Sequence, residues 1–388
     1  MQYNLPSEIL FYLQVLIVLG LIILLSITLS NLRYLRHLPK YPPPAKYPRF
    51  SLLVPARNEE RNIGNCVRGL LEQDYPDFQV IVLDDNSTDR TWEILQELAG
   101  NDRHLKLIKG KPLPEDWLGK HWACHQLAEA ADGEYLLFAD ADTVHEPHML
   151  RQSASAMLTE KADLISALPC QIVVSWSERL SIPAFYVGLL CGVPLEFTKL
   201  TRNPLLFAAL GQFMIFSRRA YDATGGYAAV RQNIVDDIAI GRRVHGMGMR
   251  YRLIDGCGCV FCRMYPGFEQ TWRGLTKSTF ATFNFDPFLL ILMYLLVIMV
   301  FIEPPLVLII GLIAHAEMAI IAVTIAAIFL SLLLFGVCYR RFHFPLYLIF
   351  LYPASAAFMT VIAYASMVLT LQGKALWKGR PMPKTVKP

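Results

Sequence analysis

Six aspartates in this chain of 388 residues fall in three close pairs, and the pairing suggests chemistry. Asp140-Ala141-Asp142 sets two carboxylates one residue apart. Hard divalent cations such as Mg2+ or Mn2+ take carboxylate oxygens and share them with substrate phosphates. Such a cation neutralises charge on a departing diphosphate. Capping of a helix starting near Pro147 explains the same pair equally well. Asp84 and Asp85 suit hydrogen bonds from base N–H groups or ribose hydroxyls, and they suit a turn. Asp236-Asp237 precedes Ile238, Ile240 and Val244, and so stands at a helix start, where the dipole favours acids. The chemical alternative is a general base that takes a proton from an attacking hydroxyl, worth ~10²–10⁴-fold. Gln270-Thr271-Trp272-Arg273 lies just before an apolar stretch. It fits a membrane-interface anchor or a grip on acceptor and diphosphate.

These pairs act together only if the fold gathers them. Residues 50–54 are a short apolar run ending in Pro55-Ala56-Arg57-Asn58-Glu59-Glu60. Ile63, Val67, Leu70 and Leu71 then share one helical face. Residues 80–83 read as a second strand, ending in Asp84-Asp85-Asn86-Ser87-Thr88-Asp89. Ser87 or Thr88 can cap a helix over 91–99. A strand over 105–108, a helix over 120–131 and a strand over 135–139 follow, the last ending at Asp140. Alternating strands and helices predict an α/β fold, a mostly parallel sheet covered on both faces. Ligands of such sheets sit beyond the carboxyl ends of the strands. The first two acidic pairs both stand there. Neither G-x-G-x-x-G nor a Walker loop is present, so dinucleotide dehydrogenases and P-loop enzymes lack their phosphate cradle.

Hydrophobic residues make up 54% of the chain and charged residues 18%, with a mean hydropathy of +0.37. That excludes a disordered or fibrous chain and argues against a purely soluble enzyme. The charge is unevenly spread. Residues 1–32 hold only Glu8, and 281–373 hold only Asp286, Glu303, Glu317, Arg340 and Arg341. The reading is a membrane helix in 1–32, a Pro-rich linker in 33–49, a cytoplasmic domain in 50–280, membrane segments in 281–373 and a basic tail in 374–388. Residues 9–29 can cross a core of about 30 Å. Arg33, Arg36 and Lys40 follow it, placing residue 33 onward in the cytoplasm, and no cleavage site marks a signal peptide. Residues 288–337 are long enough for two passes, broken at Glu303-Pro304-Pro305, and 346–371 for a third. Three such passes would leave the basic tail outside, so one C-terminal segment is expected to be interfacial or re-entrant. Glu303 and Glu317 are expected near segment ends.

The net charge of +4, without a basic stripe interleaved with aromatics, predicts no nucleic-acid partner. Eight scattered cysteines fit a reducing compartment. Cys257, Cys259 and Cys262 cluster, but a zinc site wants a fourth ligand, and buried thiols are the expectation.

The order V-P-A-R-N-E-E, D-D-N-S-T-D-x-T, G-K, D-A-D, D-D, Q-x-W-R resembles the family 2 glycosyltransferases, which have the nucleotide-diphospho-sugar transferase (GT-A) fold. The resemblance runs from about residue 50 to residue 277. The stretch Leu113-Pro114 to Trp117-Leu118-Gly119-Lys120-His121-Trp122-Ala123 resembles the branch that includes carotenoid- and hopanoid-associated transferases.

The resemblance implies a role for each residue. Pro55, Arg57, Asn58 and Glu59 would line the nucleotide pocket. Asp84 and Asp85 would meet the base or ribose, and Lys120 the diphosphate. Asp140 and Asp142 would hold the donor and its Mg2+ or Mn2+, with Asp142 the direct ligand. Asp237 would be the base, with Asp236 beside it. Gln270, Trp272 and Arg273 would serve acceptor and diphosphate. Gly274 stands where the Q-x-x-R-W element has its Trp, which argues against a processive polysaccharide synthase. The implied activity is inverting transfer from a nucleotide-diphosphate sugar, a UDP-sugar favoured, to a hydroxyl of a membrane lipid. Carotenoid, hopanoid and glycolipid acceptors all fit an integral membrane protein tied to the bilayer at both ends. The polysaccharide synthase and a non-catalytic scaffold or transporter are the alternatives. Gly211 and Gly225-Gly226 also fit the family's acceptor-side segment, where the local reading is a structural turn.

Overall fold

The computed structural model describes residues 5–100, 102–199, 201, 207–374, 376–377 and 380–381. Most of the basic tail, with Lys378, Lys384 and Lys387, lies outside the described residues. In chain order the first elements are α1 (Leu5–Tyr34), β1 (Phe50–Ala56), α2 (Ile63–Leu71), β2 (Phe78–Asp84), α3 (Thr91–Ala99), β3 (Leu105–Lys109), α4 (Gly119–Ala130), β4 (Tyr135–Ala139), β5 (Thr143–His145) and α5 (Met149–Glu160). Then come β6 (Leu164–Leu168), β7 (Cys170–Gln171), α6 (Trp176–Gly192), β8 (Phe213–Ser217), α7 (Arg218–Thr224), α8 (Asp236–Gly246), β9 (Tyr251–Asp255) and β10 (Val260–Cys262). The rest is helical: α9 (Gly267–Thr282), α10 (Pro287–Phe301), α11 (Glu303–Ile313), α12 (Met318–Arg341) and α13 (Tyr352–Leu371), before a minimal hairpin of β11 (Leu376–Trp377) and β12 (Arg380–Pro381).

The chain divides into two compact units. The α/β unit takes Leu35–Ile172 and Phe197–Met264. Its seven-stranded sheet has the order β3-β2-β1-β4-β8-β6-β9. The strands β3, β2, β1 and β4 run parallel, β8 runs against both its neighbours, and β9 is parallel to β6. The apolar runs of β1 and β2 are buried almost throughout, as strands covered on both faces must be. Leu52, Val54, Val80, Val82, Leu137 and Ile215 form the middle of the core.

Register does the work of assembly. Ala56 lies opposite Asp84, so the ends of β1 and β2 stand side by side. Ala139 pairs with Phe213 across the antiparallel partner, so the start of β8 lies beside the end of β4. A second sheet, β5-β10-β7, follows directly from Asp142 and sets Cys262 opposite Thr143. The sequence carries little sign of this sheet, because its strands are only two or three residues long.

Ser87 and Thr88 do not cap α3. The Ser87 Oγ accepts the Asn58 N–H (3.0 Å), while the Asp89 carboxylate takes the Thr91 N–H (3.0 Å). Asp140 and Asp142 do not cap α5 either: it starts at Met149, with His148 at its cap position and no side-chain capping bond.

The helical unit takes the chain up to Tyr34, Val173–Glu196 and Tyr265 onward. Among the described residues, three helices are long and apolar enough to cross a membrane: Ser7–Tyr34, Met318–Arg341 and Leu346–Leu371. Within 288–337, α12 meets that length by itself, and a fourth span results if the bent pair of α9 and α10 is counted as one. α10 has 15 residues, about 22 Å, and α11 has 11; both fall short of a core of about 30 Å. α9 and α10 meet at 114°. Glu303 is the first residue of α11, a segment end as expected. Gln14, the amide inside the first apolar run, is fully buried and donates to both Glu303 oxygens (2.8 and 2.9 Å). Ser7 donates to Glu317 at 3.2 Å.

Candidate active site

The parallel strands deliver the first cluster. Arg57, just past β1, donates from Nη1 to the carbonyls of Asp85 (2.5 Å) and Asn86 (3.2 Å) at the end of β2. The Asp85 N–H reaches back to the Ala56 carbonyl at 2.7 Å. Asn58 and Asn86 both adopt left-handed backbone (φ 52° and 54°), which asparagine tolerates better than most residues. The Asn58 Oδ1 accepts the Thr88 N–H at 2.8 Å, so Asn58 shapes the turn where the nucleotide was expected. The Glu59 N–H donates to Thr91 Oγ1 (2.8 Å), and its Oε2 accepts from Asn62 Nδ2 (3.0 Å). Pro55 is within β1, opposite Leu83. Asp84 is fully buried and paired with Lys109 at 2.9 Å; that ammonium also lies over the Trp92 ring at 3.8 Å. Asp85 is nearly as deep, at 5% exposure.

A second cluster forms around Lys120, the second residue of α4. Its Nζ lies 2.7 Å from Asp140 Oδ1, past the end of β4, and 3.8 Å from Asp236 Oδ2, at the start of α8. Burial alone would lower the lysine, but the Asp140 and Asp236 carboxylates outweigh it and hold the ammonium charged well above the ordinary lysine value. Residues 120, 140 and 236 thus meet at one point.

Asp237 lies next to this point. Its Oδ2 accepts the Gly211 N–H (2.7 Å) and its Oδ1 the Ile238 N–H (2.7 Å). Burial first, and Asp236 second, push its carboxyl up to about 7, against the two N–H groups and Lys120. A carboxyl poised near neutrality is suited to take a proton from a hydroxyl. A Cβ at Gly211 would come within 3.3 Å of Asp237 Cβ, so any side chain there crowds the acid beside it. No local pattern in the sequence pairs Gly211 with Asp237, 26 positions away; the pairing is a long-range contact.

Asp142 is half-buried in the turn between β4 and β5. Cys262 of β10 stands opposite Thr143, the residue that follows it, and burial, with the Asp142 and Asp140 charges after it, pushes the Cys262 thiol well above its ordinary value. Cys257, Cys259 and Cys262 are all buried and reduced, as expected. No group of three His, Cys, Asp or Glu side chains among the described residues forms a metal cage. The donor set on hand is the two carboxylates of Asp140 and Asp142. That set fits a hard cation completing its shell with diphosphate oxygens and water, as Mg2+ does, and does not fit a protein-enclosed structural metal.

Gln270, Trp272 and Arg273 lie on α9, in the helical unit rather than the α/β unit. Arg273 is exposed and paired with Glu269 (2.7 Å), and the Trp272 ring is 5.9 Å from that of Phe268. Gly274 has a local cause: a Cβ there would run into the Tyr265 ring.

Residues 51–238 match the family described as Glycosyl transferase family 2. A 4,4'-diaponeurosporenoate glycosyltransferase of Staphylococcus haemolyticus is 26% identical over 261 residues, 66% of this chain and 68% of that protein. Its namesake in Staphylococcus aureus is 28% identical over 236 residues, 59% of this chain and 60% of that one. The chain thus spans about two thirds of the first relative's length and less of the second's. Among solved structures, the mannosyltransferase PcManGT from Pyrobaculum calidifontis, in complex with GDP-Man and Mn2+, superposes with a TM-score of 0.53 at 18% identity, covering 93% of this chain and 99% of that one. That likeness is one of fold.

Proposed function

Since the chain carries a family 2 glycosyltransferase domain with a GT-A-like fold, we propose that it transfers a sugar, with inversion, from a nucleotide-diphosphate sugar to a hydroxyl of a carotenoid-type membrane lipid. The observation that carries this reading is the meeting of Lys120, Asp140 and Asp236 beside an Asp237 whose carboxyl titrates near neutrality.

In the reaction, the acceptor O–H gives its proton to the Asp237 carboxylate. The acceptor oxygen forms its bond to the anomeric carbon as the bond from that carbon to the diphosphate oxygen breaks. The electron pair leaves with the nucleoside diphosphate, whose charge the Lys120 ammonium meets. Asp140 and Asp142 would hold Mg2+ or Mn2+, which when bound supplies further neutralisation of the diphosphate. Arg57 and Asp85 orient the nucleoside half, with a UDP-sugar the favoured donor. Pro55, Asn58, Glu59 and Asp84 support that half from behind. Gln270, Trp272 and Arg273 would serve the acceptor.

The acceptor class rests on the relatives' names and on the apolar helices. The relatives' acceptor is named as a carboxylate, which arrives already ionised. A hydroxyl acceptor must lose its proton during the reaction, and Asp237 is the carboxylate proposed to take it. The Tyr265 ring over Gly274 leaves no room for the Q-x-x-R-W tryptophan, which weighs against the processive synthase.

Membranes given a panel of radiolabelled UDP- and GDP-sugars test the proposal. Organic-soluble labelled lipid is the expected product. Ethanol-insoluble polymer would point to the synthase, and no transfer from any donor to the scaffold. Asp237→Asn should cut transfer by ~10²–10⁴-fold while donor binding persists; an active Asn variant would remove Asp237 from the base role.

A further inference from the structure

A buried carboxylate stands behind the turn that carries Asp85. Asp84 closes β2 and is fully buried. It lies in register between Ala56 of β1 and Lys109 of β3. Its Oδ2 accepts from Lys109 Nζ at 2.9 Å, and its Oδ1 accepts the Ser87 N–H at 3.3 Å. Its carbonyl accepts the Gly110 N–H at 2.9 Å. The Lys109 ammonium also lies 3.8 Å from the centre of the Trp92 ring, in the first turn of α3. Across the same turn, Asn86 Nδ2 donates to the Gly110 carbonyl at 3.4 Å, and Ser87 Oγ accepts the Asn58 N–H at 3.0 Å. A Cβ at Gly110 would stand 3.1 Å from the Asp84 carbonyl and 3.3 Å from Asp85 Cα, so the chain leaving β3 runs hard against the turn.

We propose that Lys109, held over the Trp92 face, is a positioning residue for the nucleoside half of the donor: it neutralises Asp84, and Asp84 serves as an internal anchor of the turn rather than as a nucleotide ligand. The inference rests on the reading above that gives Arg57 and Asp85 to the nucleoside. Asp84 has no exposed surface, and both its carboxylate oxygens are engaged inside the protein. A base or ribose could reach it only after those bonds break. A buried charge is costly unless it is paired and hydrogen-bonded. Lys109 supplies the pairing, and the indole face attracts the same ammonium. The lysine side chain is half-exposed, so it stays hydrated while its partner does not. With its charge met, Asp84 keeps Oδ1 on the Ser87 N–H, which holds residues 85–87 in a tight bend through the left-handed Asn86 (φ 54°). Arg57 grips the carbonyls of Asp85 and Asn86 in that same bend. The direction of Asp85 is therefore set from the neighbouring strand.

The test is UDP and GDP binding by the full-length protein in detergent at fixed Mn2+, measured by isothermal titration calorimetry, with thermal unfolding alongside. Lys109→Met lets Asp85 drift from the nucleoside, and a lost hydrogen bond to a charged group should weaken binding of the preferred nucleotide ~10-fold or more. Lys109→Arg returns a cation to the same carboxylate and the same ring, and should stay within about threefold of wild type. In an Asp85→Ala background, Lys109→Met should weaken binding less than about twofold, because the residue it acts through is gone. A Lys109→Met variant that loses stability but binds nucleotide as tightly as wild type would overturn the positioning role and leave the transferase reading standing. So would full additivity with Asp85→Ala, which would put the ammonium on the nucleotide itself. Trp92→Leu, which keeps the ion pair, carries the test if Lys109→Met does not fold: it should weaken binding about threefold, and an unchanged affinity there would overturn the proposal. A wild type that binds neither UDP nor GDP would remove the nucleotide reading, and the anchor with it.

Discussion

Replacing Asp236 with asparagine removes a charge beside the proposed base and leaves the base in place. Asp237 stands at about 7 because of burial first and the Asp236 carboxylate second, against the N–H groups of Ile238 and Gly211 and the ammonium of Lys120. A charge within about 4–6 Å moves a carboxyl by ~1–3 pH units. Asp236 has its own cation, with Lys120 at 3.8 Å, so the lower end of that range applies. The expected shift is ~1 pH unit downward, or ~1.4 kcal/mol. The sign follows from the role: a base works ionised, so kcat/KM falls as pH drops through its pKa. Wild type should lose activity below about pH 7, and Asp236→Asn below ~pH 6. At about pH 6 wild type then keeps roughly a tenth of its plateau and the variant about half. Lys120→Met should move the limb the other way, above 7, because it removes a cation that favours the carboxylate. The assay is initial-rate transfer of labelled sugar to extracted lipid between about pH 5 and pH 9. A limb that stays at 7 in Asp236→Asn, or one that moves the same way in both variants, would refute the assignment of the base.

Gly211→Ala should lower kcat about tenfold with little change in the donor KM, because its methyl would sit 3.3 Å from Asp237 Cβ and 3.4 Å from Oδ2, and small displacements of a reacting group are costly; steady-state kinetics with kcat unchanged would detach Asp237 from Gly211. Gln14→Leu should destabilise the helical unit by ~1–3 kcal/mol by depriving Glu303 of both amide hydrogen bonds. Adding Glu303→Leu should recover much of that loss, as thermal unfolding in detergent will show.

The parallel half of the sheet was legible because β1, β2 and β4 are buried almost throughout and read as unbroken apolar runs, while the edge strand β3 is partly exposed and carries Lys106. Residues 50–54, 80–83, 105–108 and 135–139 each lie within an observed strand. Helix 91–99 was placed to the residue. Clusters at the carboxyl ends of such strands share one edge, which is why Asp84-Asp85 and Asp140-Ala141-Asp142 are expected together from the sequence. The membrane count was less legible, because hydropathy measures length but not direction. Residues 288–313 are apolar enough to cross, yet Ile302 divides them into two short helices and a 114° bend precedes them. Asn58 shows a different limit: its left-handed backbone and its bond to Thr88 belong to the turn, a demand that looks the same in sequence as a ligand contact.

What no local pattern announced is the reversal of β8, and the site depends on it. In a purely parallel sheet the carboxyl edge collects only strand ends. β8 runs against β4 and β6, so its first residues come to that same edge. A strand entry there offers backbone N–H and carbonyl groups that are not yet committed to the ladder. Gly211 uses its N–H on Asp237, and Gln212 uses its carbonyl on the Asp140 N–H. Acids from the end of β4 and from the start of α8, 97 positions apart between Asp140 and Asp237, are therefore tied to adjacent residues of one backbone. Lys120 adds its bridge from Asp140 to Asp236. A shift of β8 by a single residue would present the opposite faces of its residues to those partners and would put Gln212 away from Cys262. The geometry of the carboxylates thus depends on strand register as much as on the acids themselves.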